Sequence, residues 1–147
     1  AAQILATIEI GKRLSRFSAQ DKIKVSSPIV LVNLLMDEMK YLNKEHFRIA
    51  ILDTKNQILT IEAISIGTLN ASIVHPRDVF KTALLNGASR IMVYHNHPSE
   101  DPTPSPEDIN VTKRLVEAGK IIGVELLDHI IVGNEDDFTS LLEKGYL

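Results

Sequence analysis

A compact apolar run, Arg90 to His95, ends where prolines and acidic residues begin to alternate, Asn96 to Pro104, and a helical pattern resumes at Ser105. This passage constrains the fold most. The apolar run reads as a strand, and the prolines exclude regular structure from the segment after it. Pro98 prevents the strand from continuing in a central sheet position. Ser105 to Lys120 then reads as a helix, with Pro106 at its first position, where proline fits.

The rest of the chain repeats this alternation. Ile4 to Phe17 carries apolar residues at roughly helical spacing. Lys22 to Val25 is a short extended piece. Ser26, Ser27 and Pro28 start a helix that continues from Ile29 to Tyr41. Phe47 to Asp53 and Gln57 to Ile66 are apolar and β-branched runs joined by three residues, the pattern of a β-hairpin. Gly67 to Ser72 reads as a polar loop, and Pro76 to Asn86 as a helix with Gly87 at its C-cap. Ile122 to Val132 is the last clear strand, and Gly133 to Asp137 a turn. The residues beyond it fit no single element. The expectation is an α/β domain: a mixed sheet covered by helices.

At 147 residues the chain has the length of one domain. Its net charge of −3 gives no reason to expect nucleic acid, although local basic patches stay open. It has no cysteine, which excludes a disulfide scaffold, a thiolate metal site and a cysteine nucleophile. The same absence fits a cytoplasmic setting. No apolar run reaches the roughly 18 residues of a membrane span, and no signal peptide is visible. The chain starts without methionine, as an excised domain would.

The chemistry is concentrated between Tyr94 and Asp108. Residues two apart in an extended chain point to one side, so His95 and His97 converge and Asn96 faces away. Ser105-x-x-Asp108 taken alone is a helix capping box. Yet Asp108 is in register with Val111, Leu115, Ala118 and Ile122, which puts a carboxylate at the end of an apolar stripe. An acid on a buried face wants a cation or hydrogen-bond donors. Two imidazoles and a carboxylate form a zinc-type ligand set, and three protein ligands leave the open position of a catalytic site. None of Glu100, Asp101 or Glu107 is placed to act as a general base, so another strand must supply one.

His95-x-His97-Pro98 followed by Ser105-x-x-Asp108 resembles the JAMM (MPN+) metalloprotease motif. His95 to Ser99 and Asp101 to Ser105 resemble the bacterial RadC family more closely. So do Lys44-Glu45-His46-Phe47, Lys55-Asn56, Gly67 to Asn70, His75-Pro76-Arg77 and Asp128 to Gly133, and the likeness spans roughly residues 3 to 145. The resemblance implies a JAMM-type, deaminase-related three-layer α/β fold and Zn²⁺ held by His95, His97 and Asp108. It implies Glu45 as general acid/base and Ser105 as the group that stabilises an oxyanion. It implies a peptide or isopeptide substrate. It also implies that a helix-hairpin-helix-like region precedes the domain in longer chains. Glu100 stands where RadC-like sequences usually carry glycine, at a cost if that position needs positive φ.

Other readings remain beside this one. A non-catalytic module serving DNA transactions would bind DNA in a salt-dependent way without metal, and a metal-dependent nuclease is a third option. His95-Asn96-His97 spells the name of the HNH nucleases, but that motif is spread along a ββα unit. A zinc deaminase needs a cysteine pair, and the helical His-Glu-x-x-His is absent. Asp128-His129 either supports a ligating histidine from behind or forms structural hydrogen bonds. His75 reads as structural, and His46 faces away from Glu45.

Overall fold

The β-branched runs on either side of Thr54-Lys55-Asn56 pair as an antiparallel hairpin, β1 (Glu45–Leu52) and β2 (Ile58–Gly67). The turn between them is closed by Asp53, whose carboxylate accepts from the Lys55 and Gln57 amides. The computed structural model describes residues 3, 4, 8, 22–67, 74–134 and 137–147. The expected helix over Ile4 to Phe17, apart from Ile4 and Ile8, and the expected loop after Gly67 lie outside the described residues. The expected extended piece at Lys22 to Val25 bridges from Lys24 to Gln57 at the start of β2.

Three helices are described over their whole length, α1 (Pro28–Met39), α2 (Pro76–Leu85) and α3 (Pro106–Ile122), and Gln3, Ile4 and Ile8 are also helical. The remaining strands are β3 (Arg90–Asn96), β4 (Glu125–Val132) and β5 (Phe138–Ser140). They form one mixed sheet in the order β2-β1-β3-β4-β5. Only β3 and β4 run parallel, with α3 as their crossover. None of these helices is long and apolar enough to cross a membrane.

Each sheet face buries its own apolar cluster, which gives the three layers. On one face Leu31, Leu35, Met36 and Met39 of α1 cover Ala50, Leu52, Met92 and Tyr94. On the other, Phe80 of α2 and Val111 and Leu115 of α3 cover Phe47, Ile49, Ile51, Ile91 and Val93. The architecture is the expected α/β sandwich. Most boundaries fall within two residues of expectation, and two regions differ by more. The segment Ile122 to Val124 is not strand: α3 runs to Ile122, and Gly123 ends it at φ 83°, a left-handed cap that glycine adopts without strain. The ambiguous C-terminal segment supplies β5, tied to β4 by the Ser140 hydroxyl donating to Asp128 at 2.6 Å.

Candidate metal centre

The site lies at the carboxyl ends of the parallel strands β3 and β4, where ligands bind in open α/β sheets. Because β1 runs antiparallel to β3, the start of β1 meets the end of β3, and Phe47 pairs with His95. Alternation then brings Glu45 to the face of β1 that His95 occupies on β3. Asp108 arrives from the first turn of α3. Four groups from three separate stretches of the chain are thus brought together by two strand ends, one loop and one helix start.

The three expected ligands converge. His95 Nε2 and His97 Nε2 are 3.0 Å apart. Asp108 places Oδ1 at 3.2 Å from His95 Nε2 and Oδ2 at 3.2 Å from His97 Nε2. Ligand atoms about 2.0–2.1 Å from a tetrahedral zinc stand about 3.3 Å from one another. The donor set and its spacing therefore fit a divalent metal ion. His97 Nδ1 donates to the Asp101 carbonyl at 2.8 Å, which leaves Nε2 with its lone pair free. Glu45 Oε1 lies 3.8 Å from His95 Nε2, beside the cluster and outside the ligand set.

Electrostatics follow from burial and proximity. Burial pushes the Glu45 carboxyl above its ordinary range, and the neighbouring imidazoles pull only part of that back. Burial acts on Asp108 in the same sense. There the adjacent His95 and His97 imidazoles and the hydrogen bond from the Ser105 amide prevail and hold the carboxyl far below the usual carboxylate range. His97 is opposed by burial, yet its contact with Asp108 raises it. The pocket is built around a negative charge that wants a cation.

The supporting contacts explain the local sequence. Ser105 and Asp108 form a reciprocal capping box: the Asp108 amide donates to Ser105 Oγ at 3.1 Å, and the Ser105 amide donates to Asp108 Oδ2 at 2.8 Å. Capping and metal-facing roles fall on one carboxylate. The Ser105 hydroxyl accepts in the cap and keeps its hydrogen for another acceptor. Asn96 faces the opposite side, as expected, and holds the start of β1. Its Oδ1 accepts from the His46 amide at 2.7 Å, and its Nδ2 donates to the Lys44 carbonyl at 3.0 Å. Those bonds fix the backbone on either side of Glu45. His46 turns away from Glu45 to meet Arg48, and His75 makes no side-chain cap for α2. Glu100 adopts φ 68°, the left-handed conformation that glycine would favour.

The pair Asp128-His129 divides its work. Asp128 is structural, accepting from Ser140 Oγ and from the Leu142 amide. His129 stands fully buried behind the site, with Nε2 at 2.8 Å from His95 Nδ1 and Nδ1 at 2.6 Å from Thr112 Oγ1. A bulge in β4 aims it there. Ile91 pairs with Leu126 but Met92 with Asp128, so the extra residue Leu127 reverses the alternation and turns His129 to the face of His95. Thr112 was not singled out by the sequence. Its place one turn beyond Asp108 is the only signal that could have marked it.

Comparison with known proteins agrees with this geometry. A family model described as "RadC-like JAB domain" matches residues 25–146. The chain belongs to that family. A UPF0758 protein of Alkaliphilus metalliredigens is 56% identical over 147 residues, covering 100% of this chain and 63% of the relative. One of Caldanaerobacter subterraneus subsp. tengcongensis is 55% identical over 146 residues, 99% of this chain and 62% of the relative. One of Listeria monocytogenes is 53% identical over 146 residues, 99% and 65%. This RadC-like JAB domain thus spans just under two thirds of the length of those relatives, whose names assign no activity.

Proposed function

We propose that this RadC-like JAB domain is a zinc-dependent hydrolase of peptide or isopeptide bonds. The observation that carries the reading is the convergence of His95 Nε2, His97 Nε2 and the Asp108 carboxylate at tetrahedral spacing, with Glu45 beside them. A zinc ion held by those three residues would supply Lewis acidity, polarising the scissile carbonyl and making water a competent nucleophile near neutral pH.

The remaining chemistry belongs to the chain. Glu45 Oε1 takes the proton released as water attacks and returns it to the leaving nitrogen, a general base and then a general acid. Its burial-raised affinity for protons suits both roles. The Ser105 hydroxyl donates its unused hydrogen to the substrate oxyanion. A cleft of about 310 Å³ opens beside His97, lined by Lys40, Tyr41, Asn43 and Pro98, and its polar walls suit an extended peptide backbone. A larger hollow at the opposite end of the sheet contains neither imidazole nor catalytic carboxylate and takes no part.

The test is metal analysis followed by a peptide-library cleavage assay on the zinc-loaded protein. Wild type is expected to carry close to one equivalent of zinc, and Glu45→Gln to keep the metal while losing hydrolysis by at least two orders of magnitude. A chain that neither carries zinc nor takes it up would overturn the metal reading. Full activity in Glu45→Gln would remove that residue from the mechanism.

A further inference from the structure

The two histidine ligands are oriented from behind by different kinds of partner. His97 Nδ1 meets a backbone carbonyl, which can only accept, so its ring has one permitted tautomer. His95 Nδ1 meets another imidazole, the Nε2 of His129, at 2.8 Å. An imidazole nitrogen either donates or accepts, so this contact alone leaves the His95 ring unspecified. If His129 donated, His95 would accept at Nδ1 and carry its own hydrogen on Nε2, the atom that faces Asp108 and His97. That arrangement cannot bind a metal.

The ambiguity is removed one residue further back. Thr112 Oγ1 lies 2.7 Å from the Asp108 carbonyl and 2.6 Å from His129 Nδ1. A hydroxyl has one hydrogen, and the carbonyl has none to give. Thr112 donates to that carbonyl, so its remaining capacity toward His129 is as an acceptor. His129 then carries its hydrogen on Nδ1 and accepts at Nε2. His95 is left to donate from Nδ1, with its Nε2 lone pair directed at the cluster. All four groups are shielded from water: His95, Thr112 and His129 are fully buried and Asp108 almost so, which keeps solvent from supplying another partner.

We infer that Thr112, acting through His129, is a positioning residue that fixes His95 in its metal-binding tautomer. Neither residue touches the metal or the substrate. This relay rests on the metal reading above, but part of its test is independent of it. A partner that merely packs would tolerate replacement by an apolar side chain of the same shape. A partner that sets a tautomer would not.

Two measurements on this chain decide it. The first is the long-range ¹H–¹⁵N ring spectrum of the wild type. His129 and His95 are each expected to show a protonated Nδ1 and an unprotonated Nε2 in the zinc-loaded protein, and His129 the same tautomer without metal. A hydrogen on His129 Nε2 would overturn the relay even if zinc did not bind. The second is zinc affinity by chelator competition. Thr112→Val and His129→Leu are expected to bind about 10–100-fold more weakly, the usual effect of losing a partner behind a ligand. Thr112→Ser keeps the hydroxyl. His129→Gln offers an acceptor to His95 and a donor to Thr112. Both are expected to stay within about threefold of wild type. A folded Thr112→Val or His129→Leu protein with unchanged affinity would overturn the relay and leave the metal site standing.

Discussion

Helices α1 and α3 begin with the same two residues, Ser27-Pro28 and Ser105-Pro106, and the structure treats the two starts differently. Both serines are extended N-caps followed by proline. Ser27 makes no side-chain cap bond, and the third helical position after it is Val30. Ser105 closes a reciprocal box with Asp108 at the matching position. The dipeptide therefore specifies where a helix starts, and the residue at the third position specifies what the start does. Around α1 that residue is a half-buried valine with no polar group to offer the cap. Around α3 it is a carboxylate locked by its own cap and turned toward two imidazoles. The capping bonds leave Asp108 little rotational freedom, which prepares it to face a cation.

The largest break in this comparison is expected at the third position. Asp108→Ala removes a buried acid bonded to His95, His97 and the Ser105 amide, and denaturant unfolding of the metal-free protein is expected to show a loss of about 3 kcal/mol. Val30→Ala at the matching position of α1 is expected to cost under about 1.5 kcal/mol. Equal losses would mean that the two starts do not differ energetically. Next is Gly133→Ala, which acts on the loop that leads into α3. An added Cβ would sit 2.6 Å from the Glu100 carbonyl oxygen and 2.8 Å from Pro102 Cδ. Backbone has to move, at about 1–3 kcal/mol, and zinc affinity is expected to fall with it because His97 borders the same loop. A variant with unchanged stability and metal binding would show that this loop is not braced against β4.

Smaller effects sharpen the contrast between the caps. Ser105→Ala is expected to lower stability by about 1 kcal/mol, and Ser27→Ala by no more than a few tenths. The comparison fails if thermal melts of the two variants coincide. The smallest effect is expected at Glu100, whose left-handed φ is relieved by glycine at the cost of a more flexible unfolded chain. Glu100→Gly also loses a contact with Asn134 at 3.2 Å. A net gain of a few tenths of a kcal/mol is expected, and a loss above about 1 kcal/mol would show that the glutamate side chain, rather than the backbone, holds the turn.

Much of this was legible in the sequence because it is local. His95 and His97 share a side by strand alternation, and Asp108 lies on the apolar stripe of its helix; the positive φ at Glu100 was signalled by resemblance, through the glycine usual at that position. The hairpin and all three described helix starts follow from turn and proline chemistry. What escaped depends on packing. Ile122 looks like the beginning of a strand, yet Gly119 and Gly123 close the end of α3 around it and leave it 42% exposed. Strand β5 is three residues long and is defined by its bonds to β4, which no local pattern announces. His129 faces His95 only because Leu127 is an extra residue in its ladder, and a bulge of that kind is set by the neighbouring strand. Asn96 was expected to face away, but that it brackets Glu45 depends on a pairing across fifty residues. Glu45 itself was reached through resemblance, and no feature of its own segment marks it.

The antiparallel pairing of β1 with β3 also has a consequence for the order in which the protein becomes competent. Glu45 belongs to a hairpin that can form early, from contacts close in sequence, whereas the groups it faces come from β3, α3 and β4, more than eighty residues downstream in the case of His129. Chains made from the N-terminus fold their leading segments first. A nascent chain that has reached only α2 holds Glu45 without His95, His97 or Asp108. One that has reached α3 has the ligands but lacks the imidazole behind His95. The four groups and the imidazole behind them are therefore assembled only when nearly the last strand has entered the sheet.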